Sequence, residues 1–143
     1  MIIHDVPQGS DEWLALRAGL ITASEMSSVM AGGQGKTRLS YMYRLIGERM
    51  TGEPTESFSN KHTERGHEHE PIARDLYEIE SGNTVEETGF ITNGGVGYSP
   101  DGMVGESGLI EIKSKLPHLQ AEILDKKKVP SIHIKQCQCG LRS

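Results

Sequence analysis

The chain has 143 residues, 24% of them charged and 35% hydrophobic, and carries a formal net charge of −5. That length suits one domain with a real core, and the composition excludes a disordered tail or a bilayer-spanning segment. The acidic balance argues against DNA binding by bulk positive charge, although acids that hold divalent cations neutralise phosphate locally. The start, Met1-Ile2-Ile3-His4-Asp5, has no basic region followed by an apolar stretch, so a cytoplasmic protein without a secretion signal is expected. Cys137 and Cys139 are one residue apart, poor geometry for a disulfide, and are read as reduced thiols.

In chain order, the first half reads as helical. Ser10 can cap a short helix whose first turn carries Asp11 and Glu12 and which Gly19 ends. Thr22-Ala23-Ser24-Glu25 reads as a capping box opening a second short helix. A flexible loop at Ala31 to Lys36 precedes a third helix from about Leu39 to Met50, stopped by Gly52. The longest helical stretch runs from Asn60 to Ser81, with a start or kink expected at Glu70 because Pro71 follows it. The period then changes. Thr84 to Ile91 is strand-like, Asn93-Gly94-Gly95 is a turn, and Val96 to Ser99 continues the sheet. Met103-Val104 and Leu109 to Lys113 read as a hairpin joined at Gly105 to Gly108. Helices follow from about Pro117 to Lys128 and from Ser131 onward. The order of elements predicts an α/β (α+β) fold, a small mixed and mainly antiparallel central sheet flanked by helices, in one domain over 1–143.

The chemistry concentrates in Ser99-Pro100-Asp101-Gly102 and Leu109-Ile110-Glu111-Ile112-Lys113. With the turn at Glu106-Ser107, Asp101 comes nearly opposite Ile112 and beside Glu111, close enough for two carboxylates to share a metal ion. Alternation puts Glu111 and Lys113 on one face, Ile110 and Ile112 on the other. Two acids on one face repel unless a cation joins them, and a hard divalent ion such as Mg²⁺ suits oxygen ligands. Lys113 is then placed to orient or deprotonate a water, or to stabilise charge on a phosphate. A solvated, salt-bridged strand face with a Pro-Asp-Gly turn is the bland alternative for either piece alone.

Pro100-Asp101 followed by Glu111-Ile112-Lys113 fits the PD-(D/E)xK nuclease pattern. The wider series resembles the lambda exonuclease, or YqaJ-type viral recombinase, family. It comprises Trp13 to Gly19 with Ile21 to Ser24, Gly66 to Arg74, Tyr98 to Gly102, Gly108 to Lys113, and Gln136-Cys137-Gln138. The resemblance implies a restriction-endonuclease-like core and a Mg²⁺-dependent enzyme, with Mn²⁺ as a substitute. Such enzymes digest double-stranded DNA from the 5′ end and leave 3′ single strands for recombination. It implies metal ligation by Asp101, Glu111, the backbone carbonyl of Ile112 and Glu70, with Lys113 assisting the nucleophile. Arg17, Ser24, Ser99 and Gln136 match positions used around the 5′ phosphate. It further implies DNA ends as substrate, a single-strand annealing partner, a homotrimer, no membrane, and a phage or prophage protein in a bacterial cytoplasm. The family domain normally continues past the Gln-x-Gln helix, so a missing C-terminal part is expected.

Each residue also has a plainer reading. Glu70 could be a helix-start carboxylate, Arg17 a surface ion-pair residue, Ser24 and Ser99 cap or turn residues, and Gln136 a solvated helix residue. His67-Glu68-His69-Glu70 looks like a metal cluster, but a spacing of two turns the histidines to different sides of a helix, which argues against zinc. Lys126-Lys127-Lys128 is a solvated helix end or a contact to a DNA backbone. Competing functions are a truncated, catalytically impaired DNA-end-binding remnant and an endonuclease on the same scaffold.

Overall fold

The computed structural model describes residues 1–32, 35–55 and 61–141. In chain order its elements are β1 (Ile2–His4), α1 (Asp11–Arg17), β2 (Ile21–Thr22), a 3₁₀ turn (Ala23–Glu25), α2 (Met26–Val29), α3 (Lys36–Thr51) and α4 (Lys61–Ser81). Then come β3 (Val85–Glu86), β4 (Phe90–Asn93), β5 (Val96–Tyr98), β6 (Gly102–Val104), β7 (Gly108–Ile110), α5 (Pro117–Lys126) and α6 (Ser131–Gly140). The class is α+β, as the order of elements predicts. The single central sheet is corrected to two: β1-β4-β5-β2, and β3-β6-β7. All neighbours are antiparallel except β2 and β5.

Pro100 explains the division. Only Ser99-Pro100-Asp101 separates β5 from β6, and the chain crosses from one sheet to the other there. Pro100 is fully buried and has no N–H to extend a ladder. The expected strand over 84–91 is likewise divided. Between β3 and β4, Gly89 passes so close to β1 that an added Cβ would lie 2.3 Å from the His4 carbonyl oxygen.

Helix ends follow local chemistry. Ser10 accepts from the Trp13 N–H at 3.2 Å, as its position predicts. Gly52 and Gly82, both at φ 72°, follow α3 and α4. The capping box at Thr22 does not form. Thr22 donates its N–H to Tyr41 Oη at 3.3 Å, and Glu25 is drawn instead to Arg44 (2.8 Å) and Ser28 (2.9 Å). No new start occurs at Glu70, because α4 runs through Pro71. His67 and Pro71 are both at exposed positions, where solvent can satisfy the carbonyl that proline leaves without a donor. The loop expected at Ala31 to Lys36 lies partly outside the described residues, at 33–34, and Asn60 also lies outside them.

Phe90, Ile91 and Tyr98 of the first sheet form the core with Ala23, Tyr41 and Val85. Helix α6 packs on the 3₁₀ turn and on α2. It also reaches β5 through Gly140, where an added Cβ would meet the Tyr98 ring at 2.4 Å. That close approach carries Gln136, one turn earlier, to the place where the two sheets meet. No helix among the described residues is long and apolar enough to cross a membrane.

Candidate active site

The β6–β7 hairpin sets the geometry. Its register pairs Gly102 with Ile110, Met103 with Leu109 and Val104 with Gly108. The expected turn at Glu106-Ser107 is therefore corrected by one residue: the loop is Gly105-Glu106-Ser107, with Gly105 at φ 60°. A glycine relieved of Cβ strain makes that three-residue connection accessible. The shift matters because one residue of slip exchanges the faces of a strand. Asp101 and Glu111 now each stand one residue beyond the last paired positions.

The ladder also ends earlier than expected, at Ile110 rather than Lys113. Asp101 causes this. Its N–H donates to the Ile110 carbonyl at 3.1 Å, and its Oδ2 accepts the Ile112 N–H. The carboxylate thus takes the place of a partner strand. Beyond Ile110 the chain is free to turn, and Lys113 Nζ folds back onto Glu111 Oε1.

Glu111 is the hub, with a side chain only 9% exposed. Its Oε1 accepts from Lys113 and from Gln136 Nε2, and its Oε2 accepts from Tyr98 Oη at 2.9 Å. Tyr98 was not singled out as a site residue by sequence reasoning. Burial, and then Glu111, push its hydroxyl's proton affinity well up, so it acts as a donor. Asp101 is held up at about 6, by burial first and then by the charge of Glu111. The Ile112 N–H opposes that rise, Glu70 adds to it, and Lys113 reduces it. A raised carboxylate in this setting marks negative charge without enough compensation.

These residues fit a hard divalent cation. Asp101 Oδ1 has no hydrogen bond among the described residues, and the two carboxylates repel. The Ile112 carbonyl belongs to the residue whose N–H Asp101 accepts. A cation held this way would keep several waters, as Mg²⁺ does. They do not form a closed cage: among the described residues no three His, Cys, Asp or Glu side chains converge on one point.

Glu70 stands apart. Its Oε1 is held by Arg74 at 2.7 Å, and Arg74 also pairs with Glu87. Glu70 lines a cleft with Asp101, His67 and Gln8, close enough for its charge to act on Asp101. His69 Nδ1 meets Ser114 Oγ at 2.9 Å, and His67 lies at an exposed position, with no third ligand beside them. On the other wall, Lys115 Nζ lies 2.6 Å from His133 Nε2. Burial, Lys115 and Lys113 lower the imidazole's proton affinity, against a smaller pull from Glu111, so the neutral ring accepts from the ammonium. Neither Lys115 nor His133 carried a sequence signal, because their pairing depends on how α6 docks.

The four residues expected near a 5′ phosphate fall in different settings. Gln136 joins Glu111. Ser99 is occupied twice: Trp13 Nε1 donates to it at 2.7 Å, and it donates to the Gly89 carbonyl at 3.1 Å. Ser24 is exposed at the 3₁₀ turn, with Thr22 Oγ1 at 3.3 Å. The Arg17 guanidinium lies over Trp13, 3.9 Å from the ring centroid, and forms no ion pair among the described residues. Burial lowers its proton affinity, against the pull of Tyr41 and Glu25.

This α+β fold is shared with alkaline exonuclease structures. The crystal structure of LHK-Exo in complex with dAMP is 43% identical, with TM-score 0.80 over 91% of this chain and 66% of that one. The alkaline exonuclease LHK-Exo from Laribacter hongkongensis is 42% identical, with TM-score 0.78 over 89% and 64%. The chain thus spans just under two thirds of the length of those proteins. Comparison with curated proteins yields no match. The YqaJ-like viral recombinase domain profile matches residues 12–143, and the chain belongs to that family.

Proposed function

We propose that this chain carries the nuclease site of a metal-dependent exodeoxyribonuclease. In this reading it hydrolyses duplex DNA from the 5′ end and leaves 3′ single strands for recombination. One observation carries the reading. Asp101, raised to about 6, stands with Glu111 and Lys113 at the end of one hairpin, in a chain 43% identical to an exonuclease. Asp101, Glu111 and the Ile112 carbonyl would hold Mg²⁺, with Mn²⁺ as a substitute. When bound, the cation supplies charge neutralisation and Lewis acidity at the scissile phosphate.

The chain's own groups do the rest. Tyr98 and Gln136 fix the Glu111 carboxylate, so its orientation does not depend on the substrate. Lys113, 37% exposed, presents an ammonium that can release Glu111 and hold an attacking water or a phosphate oxygen. Glu70 acts by its charge on Asp101, or as a further ligand after leaving Arg74. Arg17, with Ser24 beside the 3₁₀ turn, supplies donors for the 5′ phosphate, because a guanidinium forks onto phosphate oxygens. Ser99 serves that site by holding Trp13 under Arg17. A trimeric assembly and a single-strand annealing partner complete the proposal.

The test compares linear 5′-phosphorylated duplex with a closed circle of the same sequence, each with Mg²⁺ and with EDTA. Loss of the linear form alone, only with Mg²⁺, is expected. Cutting of the circle would support an endonuclease, and no hydrolysis would leave a DNA-end-binding remnant.

A further inference from the structure

We propose that the cavity on the Lys113 side of the site is a track for the sugar-phosphate backbone of the DNA, with Lys127 and Lys128 as phosphate contacts. This rests on the proposed nuclease function and adds a substrate contact to it. The cavity measures about 700 Å³ and shares Glu111 and Lys113 with the site. Lys115, Lys127 and Lys128 also line it, so four lysines face one carboxylate in a chain of net charge −5. Such a concentration of one sign focuses potential on an anionic ligand. Lysines act as point charges that position a backbone without reading bases.

The three consecutive lysines do not behave alike. Lys126 is paired with Glu122 one turn back and does not line this cavity. Lys127 and Lys128 line it and make no ion pair among the described residues. The backbone sets Lys127 apart a second time. It is the residue that follows α5, at φ 48° and ψ 39°, with its N–H donating to the Ile123 carbonyl at 2.8 Å. Among the described residues it is the only non-glycine with positive φ. Helices α3 and α4 are followed by glycine in that conformation. A lysine there is strained where glycine would be free. Strain retained at one position, beside a cavity shared with the active site, points to a use for the side chain.

The backbone conformation makes the test selective. Lys127→Gly removes the charge and relieves the strain together. Binding of fluorescein-labelled, 5′-phosphorylated linear duplex is measured by anisotropy across a salt series, with Ca²⁺ in place of Mg²⁺. Thermal melting is followed in parallel. We expect Lys127→Gly to melt at the same temperature or higher, yet to bind about threefold to tenfold more weakly. The slope of log affinity against log salt should fall by about one. Lys127→Asn, which also tolerates this conformation, should behave the same, and Lys126→Ala should match the wild type. A Lys127→Gly protein with wild-type affinity and slope overturns the track while leaving the nuclease reading intact. A wild-type protein that binds no duplex overturns both.

Discussion

The Asp101 junction and the Arg17 pocket are opposites in charge and alike in design. At the junction, a half-buried carboxylate has too little positive charge around it, and its proton affinity rises. In the Arg17 pocket, a half-buried guanidinium lies over Trp13 without an ion pair among the described residues, and burial lowers its proton affinity. Nearby acids relieve Arg17 only in part, because Glu25 is engaged by Arg44 and Ser28, and Glu48 by the Gly19 and Thr55 N–H groups. Burial would raise the Glu25 carboxyl, but its hydrogen bonds to Arg44 and Ser28 outweigh that and lower it. Each region therefore holds a charge that its own neighbours leave incompletely balanced. In the proposed function, a cation would balance the first and an anion the second. On that proposal, one phosphate-ended strand bound with a metal ion would meet both needs.

Three substitutions sharpen that contrast. The largest effect should come from Lys113→Ala, which leaves the carboxylates in place and removes the ammonium. Hydrolysis of linear duplex should fall by about 10²–10⁴-fold, in the range for a lost acid–base group, with duplex affinity retained. Unchanged hydrolysis would detach Lys113 from the chemistry. Next, Arg17→Ala should remove the preference for 5′-phosphorylated over 5′-hydroxyl ends. The loss should be about tenfold to a hundredfold, the range of charge-assisted hydrogen bonds. Equal losses on both ends would mean that Arg17 supports Trp13 and not the phosphate.

The smallest effect is on stability. With a folded-state value of about 6 against an ordinary 3.8, Asp101 favours the fold while protonated. That contribution is full below pH 3.8 and is lost as pH rises through about 6. Asp101→Asn should therefore match the metal-free wild type near pH 3.5 and exceed it by about 1–2 kcal/mol at pH 7.5, after discounting for solvent screening. Urea unfolding in EDTA at the two pH values measures this. An equal difference at both would show that Asp101 carries no such strain.

Much of the junction is legible in the sequence because its residues lie within fourteen positions around one hairpin. Pro100, Asp101, Glu111 and Lys113 can be placed by turn chemistry and alternation alone. The register is not legible to one residue, because Gly105 and Gly108 allow more than one turn and the difference lies in backbone angles. Tyr98, Lys115 and His133 are missed for another reason. Tyr98 meets Glu111 across the junction of the two sheets, and the Lys115–His133 pair depends on where α6 docks, so no local pattern announces either. The two-residue strands β2 and β3 are too short to show a period of two. The capping box at Thr22 reads correctly as a sequence and fails in the fold, because Arg44 and Tyr41 offer stronger tertiary partners to the same groups.

The central claim is that Asp101 and Glu111 together hold a divalent cation, and the melting temperature against Mg²⁺ concentration tests it most directly. The wild type should gain stability that grows with the logarithm of Mg²⁺, reaching about 2.7 kcal/mol at a hundred times the dissociation constant. Asp101→Asn with Glu111→Gln should show no such gain. A wild type indifferent to Mg²⁺, or a double variant stabilised as much as the wild type, would contradict the assignment.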